Sequence, residues 1–198
     1  MVSMSWIQTF TSKTFDFKNI EDNKISISDI AHALANQCRF NGHTQSFYSV
    51  ARHSIVMATI MLEQGKDEEA LIALMHDATE AYVGDMVKPL KNLIPEFERF
   101  EQRVWELIAR RYELPYELPE SVKSLDLSML KLERERLLGP HPAEWAALEN
   151  AIDISDLVSG YALCSNPESD ERDFLMLYYH IREIISDNEN NKSETGDE

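Results

Sequence analysis

Residues 67–83 read DEEALIALMHDATEAYV. Asp67 is suited to cap a helix, and the apolar run Ala70–Met75 then leads without a breaker into His76, Asp77, Ala78, Thr79 and Glu80, with Gly84 as the stop. The spacing predicts one helix through Val83, greasy except for this polar patch. An imidazole and a carboxylate carried into such surroundings each need a partner. A divalent cation serves both, because imidazole with carboxylate is an ordinary ligand mixture for a first-row metal. Two further residues, His53 and Asp126, extend the pattern. Together they give the sequence the look of a metallohydrolase.

The same periodicity runs outward on both sides. Upstream, Ser28 and Asp29 open a helix through Ile30, Ala31, Leu34 and Ala35 that ends near Gln37–Gly42, and Phe47–Leu62 forms a long helix around His53, stopped by Gly65. The N-terminal stretch Trp6–Phe17 alternates, with Lys13 between its aromatic runs, and predicts a small β-hairpin. Downstream, Pro89 and Pro95 frame a connector, and Phe97–Arg111 is amphipathic through Phe97, Phe100, Val104, Leu107 and Ile108. A further helix runs from Ser121 to Gly139, another is expected over Pro142–Leu163 with a break near Ile152–Ser155, and Phe174–Ile185 forms the last. With no internal repeat and no central sheet, the expectation is one all-α domain over residues 1–186 with a small N-terminal β-hairpin.

Residues 187–198, DNENNKSETGDE, carry no apolar side chain and read as an acidic disordered tail. The 198 residues include 35 acidic and 19 basic side chains, a formal charge of −16. That balance disfavours a stable nucleic-acid partner, which requires a positive footprint, while leaving room for a small nucleotide held in one locally basic pocket. Cys38 and Cys164 form no CxxC pair, and no secretory leader or membrane-length apolar run is evident, so the expected location is cytoplasmic.

His53, His76–Asp77 and Asp126 fall on three separate predicted helices, which must converge to bring them together. Adjacent helical residues point about 100° apart, so His76 and Asp77 reach one ion only if it lies between their directions. Glu80, four residues after His76, is expected on the same helix face. His32, His141 and His180 stand outside the pattern, as does the charged stretch Leu132–Leu138, LERERLL, which reads as an ordinary solvated helix face.

With His53, "ALMHDATEAYVGD" and "VKSLDLSMLKLERERL" in this order, the chain resembles the HD-domain phosphohydrolases. The stretches "CRFNGHTQSFYSVARHS" and "HDATEAYVGDMVKPLK" are similar to the small bacterial and phage group of 5′-deoxynucleotidases and deoxynucleoside-triphosphate triphosphohydrolases. The likeness covers roughly Trp6 to Arg136.

The resemblance implies an HD-type helical bundle holding one divalent metal per subunit (Co, Mn, Zn, Fe, Ni or Mg) on His53, His76, Asp77 and Asp126. It implies acid–base work for Glu80 and phosphate binding by Arg39. In the substrate pocket it places Phe40 against the nucleoside and Asp85 on the sugar 3′-hydroxyl. His43 reads either as a phosphate or catalytic contact or as an ordinary loop histidine, and Lys88 and Lys91 form a basic patch that either meets outer phosphates or solubilises the connector. The implied reaction is hydrolysis of a deoxynucleoside triphosphate, dATP being the family analogy, to deoxynucleoside and triphosphate. The alternatives are a 5′-deoxynucleotidase releasing phosphate from monophosphates, and a non-catalytic nucleotide-binding scaffold. Homo-oligomers are common in the resembling enzymes, so a homo-oligomer is expected.

Overall fold

The structure, a computed structural model, describes residues 4–195. It is predominantly α-helical, with a small two-stranded antiparallel hairpin at the N-terminus. Strands β1 (Trp6–Gln8) and β2 (Thr14–Asp16) pair with Ile7 opposite Phe15. The hairpin is fastened to the helices at two points. Phe15 is buried and stacks on Tyr82 at 4.3 Å, and Asp29 accepts hydrogen bonds from the Thr11 amide and hydroxyl at 2.6 and 2.9 Å.

The helices are α1 (Ile27–Asn36), α2 (Val50–Glu63), α3 (Asp67–Met75), α4 (Glu80–Val83), α5 (Lys88–Lys91), α6 (Pro95–Tyr112), α7 (Glu120–Leu137) and α8 (Pro167–Thr195). The Ser49 hydroxyl caps α2 by accepting from the Arg52 amide at 2.9 Å. Almost every side chain from Val50 to Met61 is buried, which makes α2 the axis of the core, with α1, α3, α7 and α8 packed around it. His53 is therefore carried into the interior by its own helix. No helix of the described residues is long and apolar enough to cross a membrane.

Three sequence expectations are corrected. The helix expected from Asp67 to Val83 stops at Met75 and resumes at Glu80. Between them the backbone tightens: Ala78, Glu80, Ala81 and Tyr82 donate to the carbonyls of Met75, Asp77, Ala78 and Thr79, three residues back. In such a turn residues i and i+3 come towards the same line, which brings Glu80 nearer to the direction of Asp77 than a regular α-helix would.

The helix expected over Pro142–Leu163 is instead an irregular strap with one short 3₁₀ turn, Ala146–Leu148. Its buried anchors, Leu148, Ile154, Val158 and Leu163, do not share one helical face. Its backbone is served by α7: Arg134, Lys131 and Arg136 donate to the carbonyls of Ala143, Ala151 and Ser155, and Ser128 Oγ accepts from the Ile152 amide. Finally, α8 runs on through Asp187 to Thr195, with Asn188 donating to Asp67 at 3.0 Å, where a disordered tail was expected. Adding a turn to a helix already nucleated by docking needs no apolar side chain. Residues 196–198 of that expected tail lie outside the described residues.

Candidate metal centre

Helix α2 brings His53 to the centre of the molecule, the C-terminal end of α3 presents His76, and α7 presents Asp126. Each of the three offers one ligand atom, and these atoms all lie within 4.8 Å of one another. His53 is wholly buried and the other two are partly buried. Asp77 lies beside this trio on the tightened turn, its Oδ2 3.2 Å from His76 Nε2 and 3.9 Å from His53 Nε2. Asp126 Oδ1 lies 3.1 Å from His53 Nε2 and 3.9 Å from His76 Nε2.

The orientation of the rings tests whether a metal fits. The other ring nitrogens are engaged: His53 Nδ1 is bonded to Glu133 Oε1 at 2.5 Å, and His76 Nδ1 to the Ala73 carbonyl at 2.7 Å. With both Nδ1 atoms donating, each Nε2 is the ring atom left to offer a lone pair to an ion once its proton is displaced. Both Nε2 atoms are buried without a hydrogen-bond partner, with only carboxylate oxygens at 3.1 and 3.2 Å facing them. Ligand atoms about 2.1 Å from a common ion and at right angles are about 3 Å apart, which is the spacing of the shorter contacts here. The donor set and its geometry fit one divalent ion.

Glu133 was not singled out by the sequence, where it lay in the charged stretch on α7. It is fully buried and joins three elements: Oε1 accepts from Tyr48 at 2.8 Å and pairs with His53, while Oε2 lies 3.3 Å from Arg39 Nε. It follows Asp126 by seven residues, two helical turns along one face, and that spacing is the signal that could have exposed it. Arg39 also donates from Nη1 to Asp77 Oδ2 at 3.2 Å, so the guanidinium and the histidine pair share one network of carboxylates.

Charge within this network is strongly perturbed. Burial and the Arg39 charge push the His53 pKa down, but the Glu133 and Asp126 carboxylates outweigh them and raise it to about 9. Burial opposes ionisation of Asp77, yet His76 and Arg39 hold its carboxyl well below the usual carboxylate range. Burial pushes the Glu80 carboxyl well above its ordinary range, and the Asp77 and Asp85 charges push it further. Its Oε2 is buried without a hydrogen-bond partner. Burial and the neighbouring charges thus push the two carboxyls in opposite directions, Glu80 towards the neutral form and Asp77 towards the ionised one.

A cavity of about 890 Å³ opens over the cluster. Asp77, Asp126, Glu80 and Arg39 line its floor, and Phe40, His43, Asp85, Lys88 and Lys91 also line it, so every expected pocket residue meets this one space. Gln37 buttresses the wall, donating to the Glu80 carbonyl at 3.0 Å and accepting from the Asp85 amide at 3.1 Å. Lys88 and Lys91 are paired, with Glu98 at 3.0 Å and Glu101 at 2.7 Å. The wall also takes in Leu127 and Leu130 of α7 and Trp145 of the irregular strap, which the sequence does not mark. Of the histidines set aside, His32 is stacked on Phe10 and bonded to Glu171, while His141 and His180 are exposed.

No family model matches the sequence. The chain is 42% identical over 146 residues to the uncharacterized protein YfdR of Escherichia coli, a match spanning 74% of this chain and 80% of that protein. It is 29% identical over 187 residues to an uncharacterized protein of Rhodobacter capsulatus, spanning 89% of this chain and 95% of the relative.

Proposed function

The chain belongs to the family of Escherichia coli YfdR, and we propose that it is a metal-dependent phosphohydrolase of HD type. Its substrate on this reading is a deoxynucleoside triphosphate, cleaved to deoxynucleoside and triphosphate. The observation that carries the reading is the convergence of the His53 and His76 Nε2 atoms with the Asp77 and Asp126 carboxylates, on a cavity floor that also holds Arg39 and Glu80.

A divalent ion held by His53, His76, Asp126 and Asp77 would polarise a phosphoryl oxygen and make water a better nucleophile. Arg39 binds and orients phosphate oxygens from the cavity wall, where Glu133 and Asp77 fix its direction. It lies close enough to the cluster to neutralise charge that builds up on phosphorus. Glu80 holds a proton in its buried, unpartnered carboxyl and delivers it to the departing 5′-oxygen of the nucleoside. Asp85 accepts from the sugar 3′-hydroxyl, and the Gln37 bridge ties its backbone to that of Glu80, so that sugar and scissile bond are set by one brace.

A second reading, 5′-deoxynucleotidase action on a monophosphate, is favoured by one observation. The two lysines expected to meet outer phosphates already pair with Glu98 and Glu101. Product analysis decides between them. Metal-loaded protein is incubated with dATP, dGTP, dAMP and the matching ribonucleotides. Triphosphate from dATP supports the first reading, and orthophosphate from dAMP alone supports the second. Absence of turnover under full metal loading would leave only a binding scaffold.

A further inference from the structure

We infer that Trp145 and Phe40 form an aromatic clamp for the nucleobase of the substrate, an assignment that rests on the nucleotide reading above. The two rings come from unrelated parts of the chain and meet at the cavity wall, with centroids 6.4 Å apart and planes inclined by 47°. Each ring is accompanied by an arginine: Arg39 Cζ stands 5.8 Å from the Phe40 ring and Arg134 Cζ 5.1 Å from the Trp145 ring. The positions of both rings are maintained against local cost or by specific bonds. Phe40 sits at φ 55°, a left-handed conformation that side chains rarely adopt, and Asn41 and Gly42 follow it there. Backbone strain of this kind persists where surrounding structure enforces it, and it collects at ligand sites. Trp145 is anchored through the Arg134 hydrogen bond to the Ala143 carbonyl at 2.6 Å.

The clamp lies at the right distance from the chemistry. Asp126 faces the metal cluster, and Arg134, eight residues further along the same helix, meets Trp145. At the helical rise this is about 12 Å, the scale of a nucleoside phosphate lying along α7. Leu127 and Leu130 line the cavity between these points and supply an apolar bed. The two rings meet at a tilt, so a planar base stacks at about 3.5 Å against the aromatic surface that the pair presents to the cavity. Stacking on two rings tolerates any base and favours the larger face of a purine, so the clamp supplies affinity for the base as a class.

The test is a binding titration on metal-loaded protein, read by calorimetry and by tryptophan fluorescence. The probes are deoxyadenosine, dAMP and 2-deoxyribose 5-phosphate, which lacks a base. Trp145→Ala should weaken deoxyadenosine and dAMP by roughly 5- to 100-fold and leave 2-deoxyribose 5-phosphate unchanged. Trp145→Phe, which keeps a stacking face and holds the strap in place, should recover most of the loss, and Phe40→Ala should reproduce it. Unchanged dAMP binding in Trp145→Ala, equal weakening of the base-free probe, or no nucleoside binding by the parent protein would overturn the clamp. A parent protein that binds dAMP through Trp145 but releases no product from any nucleotide would overturn the hydrolase reading and leave the clamp standing.

Discussion

Glu133 and His53 are bonded to each other in the centre of the protein, neither with any exposed side-chain surface, and the bond points the far nitrogen of the imidazole at the metal cluster. Glu133 also touches Arg39, so a single carboxylate orients a candidate metal ligand and the guanidinium proposed to bind phosphate. Glu133→Gln should lower metal affinity by roughly 10- to 100-fold, the usual effect of removing a carboxylate behind a ligating histidine. Replacing one member of a buried ionic group should also cost about 3–5 kcal/mol of stability in the metal-free state. Chelator competition measures the first and urea denaturation the second. Wild-type metal affinity in a folded variant would remove Glu133 from the ligand-orienting role.

The pH dependence of the metal-free protein follows from His53, whose pKa is raised to about 9 against an ordinary value of 6.5. A raised basic pKa means that the folded state binds the proton more tightly than the unfolded one. Its stabilising contribution is therefore complete below about pH 6.5 and lost as pH rises through about 9. The size is on the order of 3 kcal/mol. Urea midpoints taken at pH 6, 7.5 and 9 should fall across this window. Metal competes with the same proton for Nε2, so metal affinity should rise with pH over the same range, and loading should flatten the decline in stability. A flat metal-free profile would contradict the raised pKa.

Glu80→Gln should reduce turnover by roughly 10²- to 10⁴-fold while metal content stays at the parent level. The amide imitates the neutral acid that burial favours, so folding stability at neutral pH should not fall. Elemental analysis, thermal melts and product assays on one preparation separate these effects. Near-parental turnover with full metal would exclude essential proton transfer by this residue.

Arg39→Ala should depress kcat/KM for all bases alike, because it removes a phosphate contact and the charge opposite Asp77. Asp85→Ala should act differently, narrowing the preference for deoxyribonucleotides over ribonucleotides with a smaller loss of rate. Matched pairs such as dATP and ATP provide the measurement. A parent enzyme equally fast on both sugars would remove Asp85 from sugar selection.

Much of this protein was determined by the sequence alone. The apolar repeats set most of the helices, the alternating aromatics set the hairpin, His76 and Asp77 stood out because polar groups in an apolar helix need partners, and the resemblance joined His53, Asp126 and Glu80 to them. Local periodicity could not show where helices yield to tertiary contacts. Whether 76–79 continues as α-helix or tightens depends on what the turn packs against, and that choice sets the direction of Glu80 relative to His76 and Asp77. The strap over 142–163 has helix-forming residues, yet side chains from α7 take up its backbone carbonyls and hold Trp145 against Phe40. Glu133 looks like a surface charge in its own stretch and becomes the hub of the site only when α7 lies against α2. Residue types and spacing record local propensity, which the sequence carries openly. The pairing of a buried charge is a long-range contact, set by which helices meet, and only the tertiary structure decides it.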